Sequence, residues 1–184
     1  EALNLIMPEV GKYYRFVSVV KKNDETNSYA NVYANPADNK MYWAADKATG
    51  DATAMWTFVP LADGKFAVTN LHTGSSMNTC INYNPSPLGE TAGEVSIVSL
   101  SLDGQIGIKC GDRMMHAQGG GAVVHWETGA DDGSAWRIVE VDVNAVMHTA
   151  TLKYEHAGLF LNYAVAKPEG VKAYYIDGTK EINI

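Results

Sequence analysis

The chain has 184 residues, 46% of them hydrophobic and 19% charged, which is enough apolar material for a buried core and too little charge for a disordered or coiled-coil chain. A formal net charge of −7, with no lysine or arginine cluster beyond Lys21 and Lys22, argues against nucleic acid as a partner. No apolar run is long enough to span a bilayer, so membrane insertion is not expected.

In chain order, residues 1–10 read as a lead-in ending at the Pro8 turn. No signal peptide opens the chain, and a start at Glu1 rather than methionine suggests a piece of something longer. Three stretches then open alike, on a glycine-led turn feeding a short strand: "GKYYRFVSV" at Gly11, "DGKFAVTN" at Asp63 and "DGQIGIKC" at Asp103. Each closes on an alternating strand, with Trp56 and Phe58 flanking Thr57, Val95 and Ile97 flanking Ser96, and Trp136 and Ile138 flanking Arg137. In this alignment Ile97 stands where the other copies place tryptophan. The spacing is an internal repeat of about forty residues, sampled three times.

The first copy predicts strands near Tyr13 to Val19, Tyr29 to Ala34, Met41 to Ala45 and Met55 to Val59, with Lys21 to Ser28 as a polar loop insertion. The second predicts Lys65 to Thr69, Met77 to Ile81 and Val95 to Leu100, with a stunted third strand inside the turn-rich Asn82 to Gly93. The third predicts Gln105 to Lys109, Arg113 to Ala117, Val123 to Glu127 and Ala135 to Val141. Four short strands per copy and no helical period make the chain all-β. Six of these strands closing a barrel, capped by three hairpins, would leave few free edges.

Residues 11–142 thus resemble a ricin-type β-trefoil lectin domain, through the threefold period, an aromatic residue on the third strand of a copy and a tryptophan on the fourth. The resemblance implies a carbohydrate-binding, non-catalytic module, working outside the cell or at its surface beside the neighbouring domains of a parent protein. A glycan or glycoconjugate is the implied partner, and a glycan-active enzyme the implied parent. The chain departs from the family at the glutamine that precedes the fourth-strand tryptophan by two residues, where it has Ala54, Val95 and Ser134. At the family's second-strand aspartate it has Tyr33, Asn78 and His116, so a galactose preference does not carry over.

Trp43 and Trp126 match the family's third-strand platform, and the second copy offers only Tyr83. A flat indole suits the apolar face of a pyranose, with polar side chains nearby to take its hydroxyls. Candidates beside Trp126 are His116, Gln118, His125, Glu127 and Asp131; beside Trp43 they are Asn35, Asp38, Asn39 and Asp46. The alternative is that both indoles pack under hairpins as core. Trp56 and Trp136 are expected in the core.

No cofactor is implied, and no catalytic triad motif or acid–base carboxylate pair is present. His116 and His125, near Asp112, Asp131 and Asp132, read as surface residues rather than as a metal site, and "ADDG" from Ala130 reads as a turn rather than a calcium loop. Cys80 and Cys110 fall in different copies, on strands with different barrel roles, so free thiols are expected.

Residues 143–184 follow a different pattern, with strand-like runs separated by Gly158, by Pro168-Glu169-Gly170 and by Asp177-Gly178. "AVAKPEGVKAYY" resembles the opening of a small β module that recurs after binding domains in secreted proteins of gut bacteria. Alternating apolar positions such as Leu159, Leu161 and Tyr163 predict a small antiparallel sheet, with Glu181 to Ile184 as an exposed final strand.

Overall fold

The structure is a computed structural model that describes residues 7–47, 50–78, 80, 82–100, 104–127 and 132–142, and the backbone alone of 150–155, 158–163, 173–174 and 181–182. The chain divides into two compact units, residues 1–146 and 147–184.

Among its described residues the first unit holds twelve strands. The first copy contributes β1 (Tyr13–Asn23), β2 (Ser28–Asn35), β3 (Lys40–Ala44) and β4 (Trp56–Pro60). The second contributes β5 (Phe66–Asn70), β6 (Ser76–Met77), β7 (Leu88–Gly89) and β8 (Val95–Ser99), and the third β9 (Ile106–Cys110), β10 (Arg113–Ala117), β11 (Val123–His125) and β12 (Trp136–Glu140). Strand β1 pairs with β12 and β4, β4 with β5, β5 with β8, β8 with β9, and β9 with β12, all antiparallel. That circuit closes a six-stranded barrel without a free edge. The remaining strands form three hairpins, β2–β3, β6–β7 and β10–β11, one per copy. This is the β-trefoil architecture.

Alternation along the barrel strands decides what is buried. On β1 the inward residues are Tyr14, Phe16 and Ser18, on β4 Trp56 and Phe58, and on β12 Trp136 and Ile138. Phe16 stacks on Trp56 with ring centroids 5.8 Å apart, and Phe58 meets Phe66 edge-on at 5.6 Å. Each such pair adds about 1 kcal/mol beyond its buried area.

The hairpin registers define which residues are true counterparts. Val32 faces Trp43, Met77 faces Leu88, and Met115 faces His125. The indole of Trp56 donates to the Val32 carbonyl at 3.1 Å, and that of Trp136 to the Met115 carbonyl at 2.9 Å. In the second copy the matching Met77 carbonyl takes the backbone N–H of Gly93 at 2.7 Å instead. Barrel pairing sets Trp56 opposite Asn70, Trp136 opposite Ser18 and Val95 opposite Cys110. The tryptophan slot of the second copy therefore holds Val95, two residues before the expected Ile97.

The space left by that smaller side chain is closed differently. Cys80 and Cys110 form a disulfide with Cα atoms 4.9 Å apart, which corrects the expectation of free thiols. Strand roles do not decide the pairing, because β6 ends at Met77 and Cys80, with φ of 51°, lies outside any strand, where it meets Cys110 at the end of β9. A Cβ on Gly93 would lie 2.6 Å from both the Asn78 carbonyl oxygen and Cys80 Sγ, so this close approach requires glycine.

Two other expectations need adjustment. Lys21 to Ser28 is not all loop: β1 runs on to Asn23, with Lys22 opposite Tyr29 and Asn23 opposite Ser28. The turn is tied by Asn23 Oδ1, which accepts from the backbone N–H groups of Glu25 and Thr26 at 2.9 and 3.2 Å. The stunted third strand of the second copy is real but only two residues long, Leu88–Gly89.

In the second unit β13 (Ala150–Glu155) pairs with β14 (Gly158–Tyr163), and β15 (Ala173–Tyr174) with β16 (Glu181–Ile182), both antiparallel. The final run is thus paired at Glu181–Ile182, while residues 183–184 of the expected strand lie outside the described residues.

Candidate functional site

The third hairpin builds the site. His116 lies opposite Val124 and Met115 opposite His125, so His116 and the residue after His125 fall on the face away from the core. That residue is Trp126, whose backbone N–H donates to the Met114 carbonyl at 2.7 Å. Its indole is 38% exposed and lies beside the His116 ring, with centroids 6.0 Å apart and planes 32° from parallel.

His116 is held from below. Its Nδ1 shares a hydrogen bond with Ser134 Oγ at 3.0 Å, and Ser134 is fully buried in the 3-10 turn Asp132–Ser134 that leads into β12. Gly133 passes so close that a Cβ there would sit 2.5 Å from His116 Cε1. The imidazole is therefore wedged between the turn and Trp126. Beside it opens a cleft of about 430 Å³, lined by Val20, Lys21, His116, Gly119, Asp132 and Gly133. His116 belongs to both the aromatic pair and the cleft, and Lys21 and Asp132 bring opposite charges to the cleft walls. Such a surface offers an apolar ring face together with donors and acceptors.

The other sequence candidates do not gather here. Gln118 adjoins the cleft, but its described bonds are through the backbone: its N–H donates to Ala122 O at 2.9 Å and its carbonyl accepts from the Trp43 indole at 2.6 Å. Asp131 lies outside the described residues.

His125 is a correction. It is 1% exposed, with Nδ1 3.1 Å from Ser86 Oγ and Nε2 without a hydrogen-bond partner, and burial pushes its pKa down from 6.5 to about 4. Alternation on the hairpin sends it inward, the opposite way from Trp126, so it cannot meet a ligand at the surface. His116 and His125 also lie on opposite faces and do not converge on one ion.

Trp43 is the register counterpart of His125, not of Trp126. It packs against the core and spends its N–H on Gln118, so as a sugar platform equivalent to Trp126 it is corrected as well. Asn35 and Asp46 serve local structure: Asn35 Oδ1 accepts from the Ala37 N–H at 3.0 Å, and Asp46 accepts from the Asn23 side chain at 3.5 Å. Asp38 likewise serves local structure, whereas Asn39 ties the first copy to the second. Asp38 Oδ1 accepts from the Lys40 N–H at 3.1 Å, and Asn39, with φ of 56°, donates its side-chain amide to Ser75 Oγ at 3.0 Å.

The place in the first copy that corresponds to His116 belongs to Tyr33. Its ring lies 5.9 Å from that of Tyr42 and carries Lys47 Nζ 3.7 Å above its centroid. The same ammonium reaches Asp51 at 3.2 Å. Burial raises the Asp51 carboxyl, but hydrogen bonds from Thr53 and Lys47 outweigh it and leave the group below its ordinary pKa. This side of the first copy is thus occupied by its own side chains.

Sequence reasoning missed Lys21, because the inserted segment read as loop, and Gly133, whose role depends on its approach to His116. Asp132 was visible as part of a turn and as one of the carboxylates near the two histidines, but not as a wall of the cleft. The available signal was the placement of Asp132 and Gly133 just before the fourth-strand tryptophan.

No family model matches the chain, and no curated protein matches it significantly. Solved structures do. The β-trefoil BEL superposes with a TM-score of 0.58 at 11% identity, over 76% of this chain and 100% of that one. SeviL bound to the asialo-GM1 saccharide superposes at 0.53 and 11% identity, over 71% and 98%. The GlcNAcα1-4Gal-releasing endo-β-galactosidase from Clostridium perfringens matches at 0.53 and 16%, over 72% of this chain but 33% of the enzyme. At these identities the likeness establishes the β-trefoil fold. The comparisons lend no support to the resemblance of the tail to a gut-bacterial module.

Proposed function

We propose that the trefoil is a carbohydrate-binding module without catalytic activity, and that it binds at the His116–Trp126 face of the third copy. The observation that carries this reading is the half-exposed Trp126 indole, held against a wedged imidazole at the edge of an open polar cleft. A pyranose stacked on these rings places its hydroxyls toward Asp132 and Lys21. One carboxylate accepts and one ammonium donates. The cleft is open and shallow, so many hydroxyls stay wet, and an affinity near the millimolar level, about 4 kcal/mol, is expected. Retention on a glycan surface then depends on several copies or a second site.

Two facts favour a wider setting in an exported, glycan-active protein. A disulfide suits an oxidising compartment. The endo-β-galactosidase carries a matching domain over a third of its length, as an accessory module would be carried. A second reading, a protein-interaction module with decayed sugar sites, is favoured by Ala54, Gly93 and Ser134 at the glutamine positions, as the barrel register sets them, and by the lack of a carboxylate at Tyr33, Asn78 and His116.

A glycan array with the intact chain, followed by titration calorimetry of any hit against the wild type and Trp126→Ala, separates the two. Binding that disappears in a folded Trp126→Ala protein supports the sugar site. A folded wild type that retains no glycan hands the function to the interaction reading.

A further inference from the structure

The tip of the second hairpin presents another aromatic surface. Tyr83 is 50% exposed and lies between β6 and β7, a few residues before β7, among Asn84, Pro85 and Pro87. This loop is anchored firmly. Ser86 is fully buried; its N–H donates to the Val123 carbonyl and its carbonyl accepts from the Met41 N–H, each at 2.9 Å. Leu88 donates to the Asn39 carbonyl at 2.9 Å, and Pro87 bridges to Lys40. The loop is therefore clamped between the first and third hairpins, and the prolines fix its backbone further, so Tyr83 is displayed from a prepared base.

Lys40, Tyr83, Asn84, Pro85 and Pro87 enclose a groove of about 240 Å³. That is below the roughly 300–1,000 Å³ of sites for drug-sized ligands, and it admits one ring rather than a long polymer segment. Among the described residues Lys40, like Lys21 and Lys109, joins no ion pair, whereas Lys12, Lys22, Lys47 and Lys65 are paired. An unpaired ammonium beside a phenol ring and two proline faces calls for a ligand with an apolar face and a negative charge at its rim.

We infer that this groove is a second binding site, for a carboxylate-bearing pyranose of the hexuronate class. The C–H face of the sugar stacks on Tyr83, the proline rings wall it in, the carboxylate meets Lys40 Nζ, and the Asn84 amide takes a hydroxyl. A neutral sugar leaves the ammonium unmatched. The site is not a copy of the Trp126 cleft: Tyr83 sits in the loop at the hairpin tip, whose counterparts are residues 36–39 and 119–121, whereas Trp126 follows the third strand of its copy. It shares no lining residue with that cleft and does not depend on it.

The test is an NMR titration of the intact, isotope-labelled chain with methyl glucuronide and, separately, methyl glucoside at low salt. The glucuronide is expected to shift the amides of Lys40, Tyr83, Asn84 and Ser86, with the glucoside at least about tenfold weaker. Tyr83→Ala and Lys40→Gln should each weaken glucuronide binding about tenfold, and about 0.5 M salt should weaken it as well, since an exposed ion pair is screened. Trp126→Ala should leave it unchanged. No shift at these amides, equal response to both sugars, or loss of the response in Trp126→Ala would each overturn the inference, the last by assigning the binding to the other cleft.

Discussion

His125 makes the fold acid-sensitive in a way that can be isolated. In the folded chain the buried imidazole stays neutral down to about pH 4, whereas in the unfolded chain it takes up a proton near 6.5. The cause is burial, which disfavours the charged form. The unfolded state therefore binds more protons below 6.5, and stability falls as pH falls. The contribution is fully present above 6.5, is lost progressively between 6.5 and about 4, and falls no further below that. Each tenfold difference in proton affinity is worth about 1.4 kcal/mol, so at about pH 4.5 the loss is roughly 2–3 kcal/mol.

Carboxylates also titrate in this range, and a reference variant is needed to subtract them. The second copy supplies it, because Leu88 occupies the position of His125. In His125→Leu the Ser86 hydroxyl keeps the backbone N–H of residue 125 at 3.1 Å and the Tyr83 carbonyl at 3.4 Å. The substitution should therefore cost less than about 1.5 kcal/mol at neutral pH. Urea unfolding of both proteins at about pH 7 and pH 4.5 is expected to show the wild type losing roughly 2–3 kcal/mol more than the variant. Equal losses would refute the assignment of a buried, neutral His125.

Trp136→Ala should cost about 3–5 kcal/mol as a core deletion, while Trp126→Ala should change stability by less than about 1 kcal/mol; thermal or urea unfolding distinguishes them. Replacing Cys80 and Cys110 together by serine should lower stability by about 3–4 kcal/mol, from the loop closed by a sequence separation of 30, as measured by unfolding under identical non-reducing conditions. Gly133→Ala should displace His116 and weaken any glycan binding about tenfold, with altered His116 ring resonances and a stability loss of about 1 kcal/mol, because its Cβ would press on that ring.

The repeat, the all-β class and the deep burial of Trp56 and Trp136 were legible in the sequence, because period-two alternation and glycine-led turns are local properties of the chain. Twelve short strands in three sets of four followed from the same pattern. Which face each hairpin residue takes was not legible. Trp43 and Trp126 look alike in sequence, yet a difference of one residue in register turns one inward against the core and the other outward, and it sends His125 into the interior beside Trp126. The pairing of Cys80 with Cys110, the substitution of Gly93 and Val95 for a tryptophan, and the arrival of Lys21 at the cleft depend in the same way on contacts between separate copies. Local pattern determined which segments become strands; only the closure of the barrel, which brings distant segments into one register, decided which side chains meet.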